Sequence, residues 1–186
     1  MTTTPDDARP AAPPLIRLAT PQDLPAIEDL DRLSASPTRD IHRDVEKYFG
    51  SVDPSTHERT LIFLVQVGEF IAGKAELMTP PPQPEGAPTN QDILTRASVG
   101  YVKRVVVDPR FRKLGLARAM MLHIIAYAQS DLRLSAIDLH VWEDNQPAIR
   151  LYESLGFHLQ HRELYFRLPL YEIKFSKGDH KGTPLP

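Results

Sequence analysis

The chain has 186 residues, 41% of them hydrophobic, and a formal net charge of -2. That is enough apolar material for one domain with a real core. The near-neutral balance excludes the electrostatic footprint of a nucleic-acid binder or a polybasic membrane protein. The absence of cysteine excludes disulfides, thiolate metal sites and a cysteine nucleophile. No segment has the apolar length to span a bilayer, and Met1-Thr-Thr-Thr-Pro-Asp-Asp7 lacks the regions of a signal peptide, so a cytoplasmic protein is expected.

In chain order, residues 1–13 carry Thr, Pro, Asp and Ala with little to bury and are expected to form a disordered lead. Leu15 to Leu18 reads as a strand. Thr20, Pro21 and Asp23 then form a helix start, with Leu24, Ile27, Leu30 and Leu33 on its apolar face. Ser34 to Pro37 breaks that helix, and Arg39 to Tyr48 is a second helical candidate. Thr60 to Val67 and Phe70 to Met78 read as strands joined by a two-residue turn at Gly68-Glu69. A Pro-rich loop spans Thr79 to Asn90, and Ala97 to Val107 is a largely apolar, hence central, strand.

Leu114, Ala117, Met120, Met121, Ile124, Ile125 and Ala128 repeat at spacings of three and four, predicting a helix over Gly115 to Gln129. Ala136 to Trp142 alternates like a strand. Asp144-Asn-Gln-Pro147 opens another helix, which Gly156 ends in the left-handed conformation. Phe157 to Leu159 and Leu164 to Phe175 read as the last strands, and residues 176–186 as a flexible tail. The element order implies an α/β domain with a mixed sheet over residues 14–175.

Two stretches carry chemistry. In Val105-Val-Val-Asp-Pro-Arg-Phe-Arg-Lys-Leu-Gly-Leu-Ala117 a buried strand feeds a helix N-terminus, where free backbone amides can hold an anion. Arg110, Arg112, Lys113 and Arg118 crowd that helix start against the sign of its dipole, so an anionic partner is expected, most simply a phosphate. The small residues Gly115 and Ala117 let a ligand approach the backbone. An ordinary strand-to-helix turn with solvated arginines would account for this stretch taken alone. The second stretch is Asn145-Gln-Pro-Ala-Ile-Arg-Leu-Tyr-Glu-Ser-Leu-Gly-Phe157, where a capping asparagine and a core tyrosine would each suffice taken singly.

Together, in this order, the stretches resemble the GNAT family of N-acetyltransferases. The family's Arg/Gln-x-x-Gly-x-Gly/Ala loop is Arg112-Lys-Leu-Gly115-Leu-Ala117, and its short apolar strand followed by x-Pro is Val105-Val-Val107 with Asp108-Pro109. Its Asn-x-x-Ala-x-x-Leu-Tyr-x-x-Leu-Gly-Phe signature is matched at every fixed position from Asn145 to Phe157. The resemblance implies the GNAT fold: α/β, with a central mixed, mostly antiparallel sheet flanked by helices. It also implies acetyl-CoA as acyl donor, with Val105, Val106 and Val107 pairing with the pantetheine arm like an added strand and one of their amides facing the thioester oxygen. The amides of Arg112, Lys113, Leu114, Gly115, Leu116 and Ala117 would hold the pyrophosphate. Asn145 matches a cofactor-contacting position and Tyr152 the general acid near the sulfur.

Proton transfer from a phenol, with pKa about 10, to a thiolate, about 8.5, is uphill by about 2 kcal/mol. Tyr152 is therefore expected mainly to donate a hydrogen bond to the leaving sulfur, with solvent completing the transfer. Many GNAT members place a glutamate on one of the two central strands as base. Here the strand leading to Val105 carries Tyr101 and Lys103, and the matching position on the next strand is His140. A histidine can act as a base at neutral pH; the alternative is a strand histidine bonded to a neighbour. Glu143 is the other candidate base. Trp142 is expected to pack on the sheet or line the acceptor pocket, and Lys103 and Arg104 to form a solvated strand end, the alternative being that they favour an acidic acceptor. His123, His158 and His161 show no metal-ligand spacing, so no metal is expected.

The function that follows is acetyl transfer from acetyl-CoA to a primary amine of a small molecule or peptide. The alternative is a catalytically silent acyl-CoA-binding module, favoured by the missing glutamate and disfavoured by Tyr152. A third reading is transfer from a longer acyl-CoA. No nucleic-acid or membrane partner is expected, and the sequence leaves monomer and homodimer both open.

Overall fold

The computed structural model describes residues 13–33, 49, 52, 57–80 and 99–163. The expected second helix at Arg39 to Tyr48, most of the Pro-rich loop, the strand at Leu164 to Phe175 and both terminal segments lie outside the described residues.

Strand β1 (Leu15–Leu18) leads into a 3-10 turn (Pro21–Asp23) and helix α1 (Leu24–Leu33). The start is fixed as the sequence implied. Asp23 accepts from the Thr20 amide at 2.8 Å and hydroxyl at 2.9 Å, and takes both guanidinium nitrogens of Arg17 at 2.8 and 2.7 Å. Strands β2 (Arg59–Val67) and β3 (Phe70–Thr79) form the expected hairpin about Gly68-Glu69, followed by β4 (Val99–Val107). Next come a 3-10 turn (Pro109–Phe111), helix α2 (Leu116–Ser130), β5 (Ala136–Leu139) and helix α3 (Gln146–Ser154). The sheet order is β1-β2-β3-β4-β5, antiparallel except for the parallel pair β4 and β5. This is the mixed, mostly antiparallel sheet with flanking helices.

The 3.6-residue period of α2 buries Leu116, Met120, Met121, Ile124 and Ala128 against Phe63, Val65, Ala75, Leu77 and Val102 on one face of the sheet. Each fully buried large side chain in that layer contributes about 1.5–3 kcal/mol of transfer free energy. On the opposite face Ile27 of α1 packs with Ile62 and Leu64.

Alternation also places Lys74 and Glu76 on that second face, where both are wholly buried. Lys74 Nζ lies 2.7 Å from Glu76 Oε1 and 2.5 Å from Asp31 Oδ1 of α1, and Arg104 Nη1 lies 3.0 Å from Glu76 Oε2. Charges this deep persist only when paired. The sheet is thus apolar toward α2 and carries an ionic core toward α1.

Three expectations are corrected. β5 ends at Leu139 rather than Trp142, because β4 pairs with it only as far as Val102 and the chain then turns, the Asn145 amide donating to the Trp142 carbonyl at 3.0 Å. Phe157 to Leu159 pairs with no strand among the described residues, and the Phe157 amide is taken up by the end of α3. Leu33 and Leu114, assigned to apolar helix faces, are exposed at helix ends. No helix among the described residues is long and apolar enough to cross a membrane.

Candidate active site

The parallel pairing of β4 with β5 covers only Val99 to Val102 against Ala136 to Leu139. From Lys103 to Val107, β4 has no strand neighbour on that side among the described residues. A gap opens along Val105, Val106 and Val107, with main-chain groups free to pair with an extended ligand. A bulge marks the opening: Lys74 stands opposite Val106 and Glu76 opposite Lys103, so β4 carries an extra residue there, and Arg104 takes φ +52°. The bulge keeps both Lys103 and Arg104 on the α1 face. Arg104 is bound to Glu76, and Lys103 Nζ lies 2.8 Å from Met78 Sδ, so neither is the solvated strand end expected from sequence. Val105 and Val107 turn toward α2, and Val106 sits opposite the buried Lys74.

Past Val107 the chain curls. Asp108 accepts from the Arg110 amide at 2.9 Å and pairs with its guanidinium at 2.7 Å, and that guanidinium lies over the rings of Phe70 and Phe111. Arg110 thereby leaves the set of cations awaiting an anion. Arg112, Lys113 and Arg118 form no ion pair among the described residues. Arg112 Nε donates to the Val107 carbonyl at 3.2 Å, and Arg118 Nη1 to Ser154 Oγ at 2.7 Å, which ties the start of α2 to the end of α3.

Lys113 and Gly115 adopt φ +64° and +74°. A Cβ at Gly115 would meet nothing within 4 Å, so glycine is favoured here by backbone conformation rather than by crowding. The first bond of the α2 ladder runs from the Ala119 amide to the Gly115 carbonyl at 3.0 Å, and no side chain caps the helix. The amides of Leu116, Ala117 and Arg118 therefore stand ahead of the ladder, in the positive end of the helix dipole. The exposed Arg112, Lys113, Leu114 and Gly115 form the lip of this anion cradle.

Asn145 caps α3, its Oδ1 accepting from the Ala148 amide at 3.3 Å. The far end of α3 explains the spacing of the second motif. The Phe157 amide donates to the Tyr152 carbonyl at 3.1 Å and the Gly156 amide to the Glu153 carbonyl at 3.0 Å, with Gly156 at φ +91°. This is a Schellman motif, and its accompanying apolar contact is Tyr152 against Phe157, edge to face at 5.9 Å. Tyr152 is thus held both by its own main chain and by packing. It joins the same apolar cluster as Val105, Val107 and Leu139. Burial pushes its phenol pKa up, which keeps it protonated, and its hydroxyl makes no hydrogen bond among the described residues.

On the α1 face, where β4 and β5 part, the Tyr101 hydroxyl lies 2.6 Å from His140 Nδ1. His140 Nε2 lies 3.4 Å from Glu163 Oε1, which also lies 3.1 Å from His161 Nε2. With the His140 Nε2–H directed at the carboxylate, Nδ1 is the accepting nitrogen and Tyr101 donates to it. Burial, followed by the charge of Glu163, raises the Tyr101 pKa. The His161 hydrogen bond most of all, and His140 after it, hold Glu163 below the ordinary carboxylate range. Glu143, the other candidate base, is engaged by Arg162 at 3.2 Å on the exposed surface, and Trp142 stands half exposed beside it.

The structure thus brings Val105–Val107, the loop from Arg112 to Ala117 and Tyr152 around one gap, and sets His140 on the other face of the sheet at the mouth of that gap. Sequence reasoning passed over Tyr101 as a partner of His140, and it passed over Glu163 and the Lys74–Glu76 pair. The last had a visible signal, two opposite charges at i and i+2 inside an apolar strand. Glu163 had none, since it comes from a separate stretch of chain.

Comparison with known proteins agrees with this geometry. The acetyltransferase (GNAT) family model matches residues 24–157. A mycothiol acetyltransferase of Thermomonospora curvata is 49% identical over 59 residues, which is 32% of this chain and 20% of that protein. The L-amino acid N-acetyltransferase AaaT of Escherichia coli is 38% identical over 56 residues, 30% of this chain and 35% of that protein. The matches thus span well under half the length of these relatives. Among solved structures, a putative acetyltransferase from Agrobacterium tumefaciens superposes with a TM-score of 0.59 at 20% identity, covering 83% of this chain and 99% of that one. The aminoglycoside N-acetyltransferase AAC(6')-Iy in complex with CoA gives a TM-score of 0.59 at 16% identity over 83% of this chain and 99% of that one. Fold, motif spacing and family match coincide on the same residues, and the chain belongs to the GNAT acetyltransferase family.

Proposed function

We propose that the protein transfers an acetyl group from acetyl-CoA to a primary amine of a small molecule or peptide by direct attack on the thioester. The observation that carries this reading is the gap along Val105–Val107 leading to the cradle at the start of α2, where the amides of Leu116, Ala117 and Arg118 stand ahead of the helix ladder while that of Arg112 is taken by the Pro109 carbonyl. A donor that is extended at one end and doubly anionic in the middle fits both parts. The cradle's amides take the pyrophosphate together with Arg112 and Lys113, which form no ion pair among the described residues, and Asn145, the cap of α3, contacts the donor as the family motif implies. A β4 amide in the gap donates to the carbonyl oxygen as it becomes an oxyanion.

The amine must first be neutral. An alkyl ammonium with pKa about 10.4 is only about one part per thousand free at pH 7.4, a cost of about 4 kcal/mol. His140 takes that proton through Tyr101: the Tyr101 oxygen receives it, directly or through a water, as its own proton passes to Nδ1 of His140. Glu163 stabilises the imidazolium that results. The amine lone pair then forms the new C–N bond, the C–S bond breaks, and the sulfur leaves with the electron pair. Tyr152 donates a hydrogen bond to that sulfur. Base and acid approach from opposite faces of the sheet, so neither blocks the other.

Calorimetric titration with acetyl-CoA, followed by thiol release against a panel of primary amines, tests the reading. Binding with release from at least one amine is expected. Binding without release from any amine would favour the silent acyl-CoA-binding module, and no binding would overturn both. The names of the similar proteins, an L-amino acid N-acetyltransferase and an aminoglycoside N-acetyltransferase, set the first amines to try: free amino acids and aminoglycosides.

A further inference from the structure

His140, His161 and Glu163 each present one ligand atom, and the three atoms lie within 4.8 Å of one another at the surface. We propose that these side chains form a binding site for a divalent transition-metal ion of the zinc type. The donor set is two imidazoles and one carboxylate, with the remaining tetrahedral position open to solvent. Ligand bonds of about 2.0–2.1 Å at tetrahedral angles put neighbouring ligand atoms about 3.3 Å apart. The observed separations are close to that: His140 Nε2 to Glu163 Oε1 is 3.4 Å and His161 Nε2 to Glu163 Oε1 is 3.1 Å. A small rotation of the exposed His161 ring closes the third edge.

The other nitrogen of His140 is already provided for. When Nε2 binds a metal, Nδ1 carries the proton, and the Tyr101 oxygen at 2.6 Å is in place to accept it. An outer partner of this kind fixes the ring orientation and the metallated nitrogen. The rings of His140 and His161 already meet edge to face at 6.3 Å.

The site does not rest on the transferase reading, because metal binding is read without turnover. It does intersect that reading: a metal on His140 Nε2 makes Nδ1 a donor and so withdraws the acceptor that Tyr101 uses.

The test is titration of the tag-free full chain with cobalt(II), read by visible absorption and then displaced with zinc(II). We expect the intense bands of a four-coordinate cobalt ion at one equivalent, bleached by zinc. Affinity should fall by about tenfold or more in His161→Ala and in Glu163→Gln, and by about tenfold in Tyr101→Phe through loss of the outer partner. All of these side chains but Tyr101 are exposed, and circular dichroism confirms that each variant is folded. A pale six-coordinate spectrum, or equal affinity in wild type, His161→Ala and Glu163→Gln, would overturn the site. Failure here leaves acetyl-CoA binding untouched, so the two readings fail separately.

Discussion

The Tyr101 hydroxyl lies 2.6 Å from His140 Nδ1, beside the last rung at which β4 and β5 still pair. This contact binds the two strands where they begin to part, and it joins a phenol that stays protonated to the nitrogen that accepts from it. Replacing either member should slow turnover by about a hundredfold, the usual worth of a positioned proton acceptor. The pH–rate profile of His140→Ala should differ in shape from that of wild type. A pH–rate profile for His140→Ala superimposable on wild type removes His140 from the mechanism.

Tyr152 is held by the Schellman turn and the Phe157 ring, with burial raising its pKa. Tyr152→Phe preserves that packing and deletes only the hydroxyl. A hydrogen bond to a developing thiolate is worth about 1.5–3 kcal/mol, so turnover should drop roughly 10- to 100-fold. The dissociation constant for acetyl-CoA should stay within about twofold of wild type, since the bond strengthens only as the sulfur becomes charged. Steady-state kinetics beside calorimetry checks both, and unchanged turnover refutes the role.

Gly115 adopts φ +74° with open space around its α-carbon. Gly115→Ala therefore acts through backbone strain alone, about 1–2 kcal/mol. Relief of that strain would rotate the cradle amides away from the anion, so acetyl-CoA binding should weaken about 5- to 30-fold, with Gly115→Asn intermediate because asparagine tolerates this region. Calorimetry showing wild-type affinity in Gly115→Ala would mean that the loop's curl is not what holds the donor.

The buried Lys74 bridges Glu76 and Asp31 between β3 and α1. Lys74→Met keeps the volume and strands two carboxylates with less compensation, at a cost of about 3–5 kcal/mol. Chemical denaturation should show the loss. A variant as stable as wild type would mean that Arg104 alone suffices for Glu76.

Asp23 is held well below the ordinary carboxylate range, first by the Arg17 guanidinium, which outweighs the opposing effect of burial, and then by the Thr20 amide and hydroxyl. The unfolded chain takes up a proton as pH falls through about 4, while the folded carboxyl does not. Its stabilisation is therefore complete above about pH 4 and is lost as pH falls toward the folded-state value. Thermal melts should show wild type more stable than Asp23→Asn at neutral pH, the gap narrowing toward about pH 3. A gap that is constant with pH would contradict the linkage.

What the sequence alone determined was whatever depends on local spacing. An apolar, β-prone run and the turn at Gly68-Glu69 located β2 and β3, the 3.6-residue period located α2, and Thr20, Gly115, Asn145 and Gly156 marked turns and caps that the backbone then adopts. The second motif was legible because its spacing is that of one helix end, with Tyr152 and Phe157 five apart as a Schellman turn requires. Only tertiary structure decided where pairing stops. The early end of β5 follows from its partner strand diverging after Val102, which no local pattern encodes. The same holds for charge. Arg110 was expected to await an anionic ligand and Arg104 to end a strand in solvent, yet Asp108 claims the first and the buried Glu76 the second. The grouping of Tyr101, His140, His161 and Glu163 is likewise a product of folding, because it joins β4, the end of β5 and the segment after α3. Side chains far apart in the chain meet only after the sheet has set their faces, and there the proton acceptor and the metal ligands are assembled.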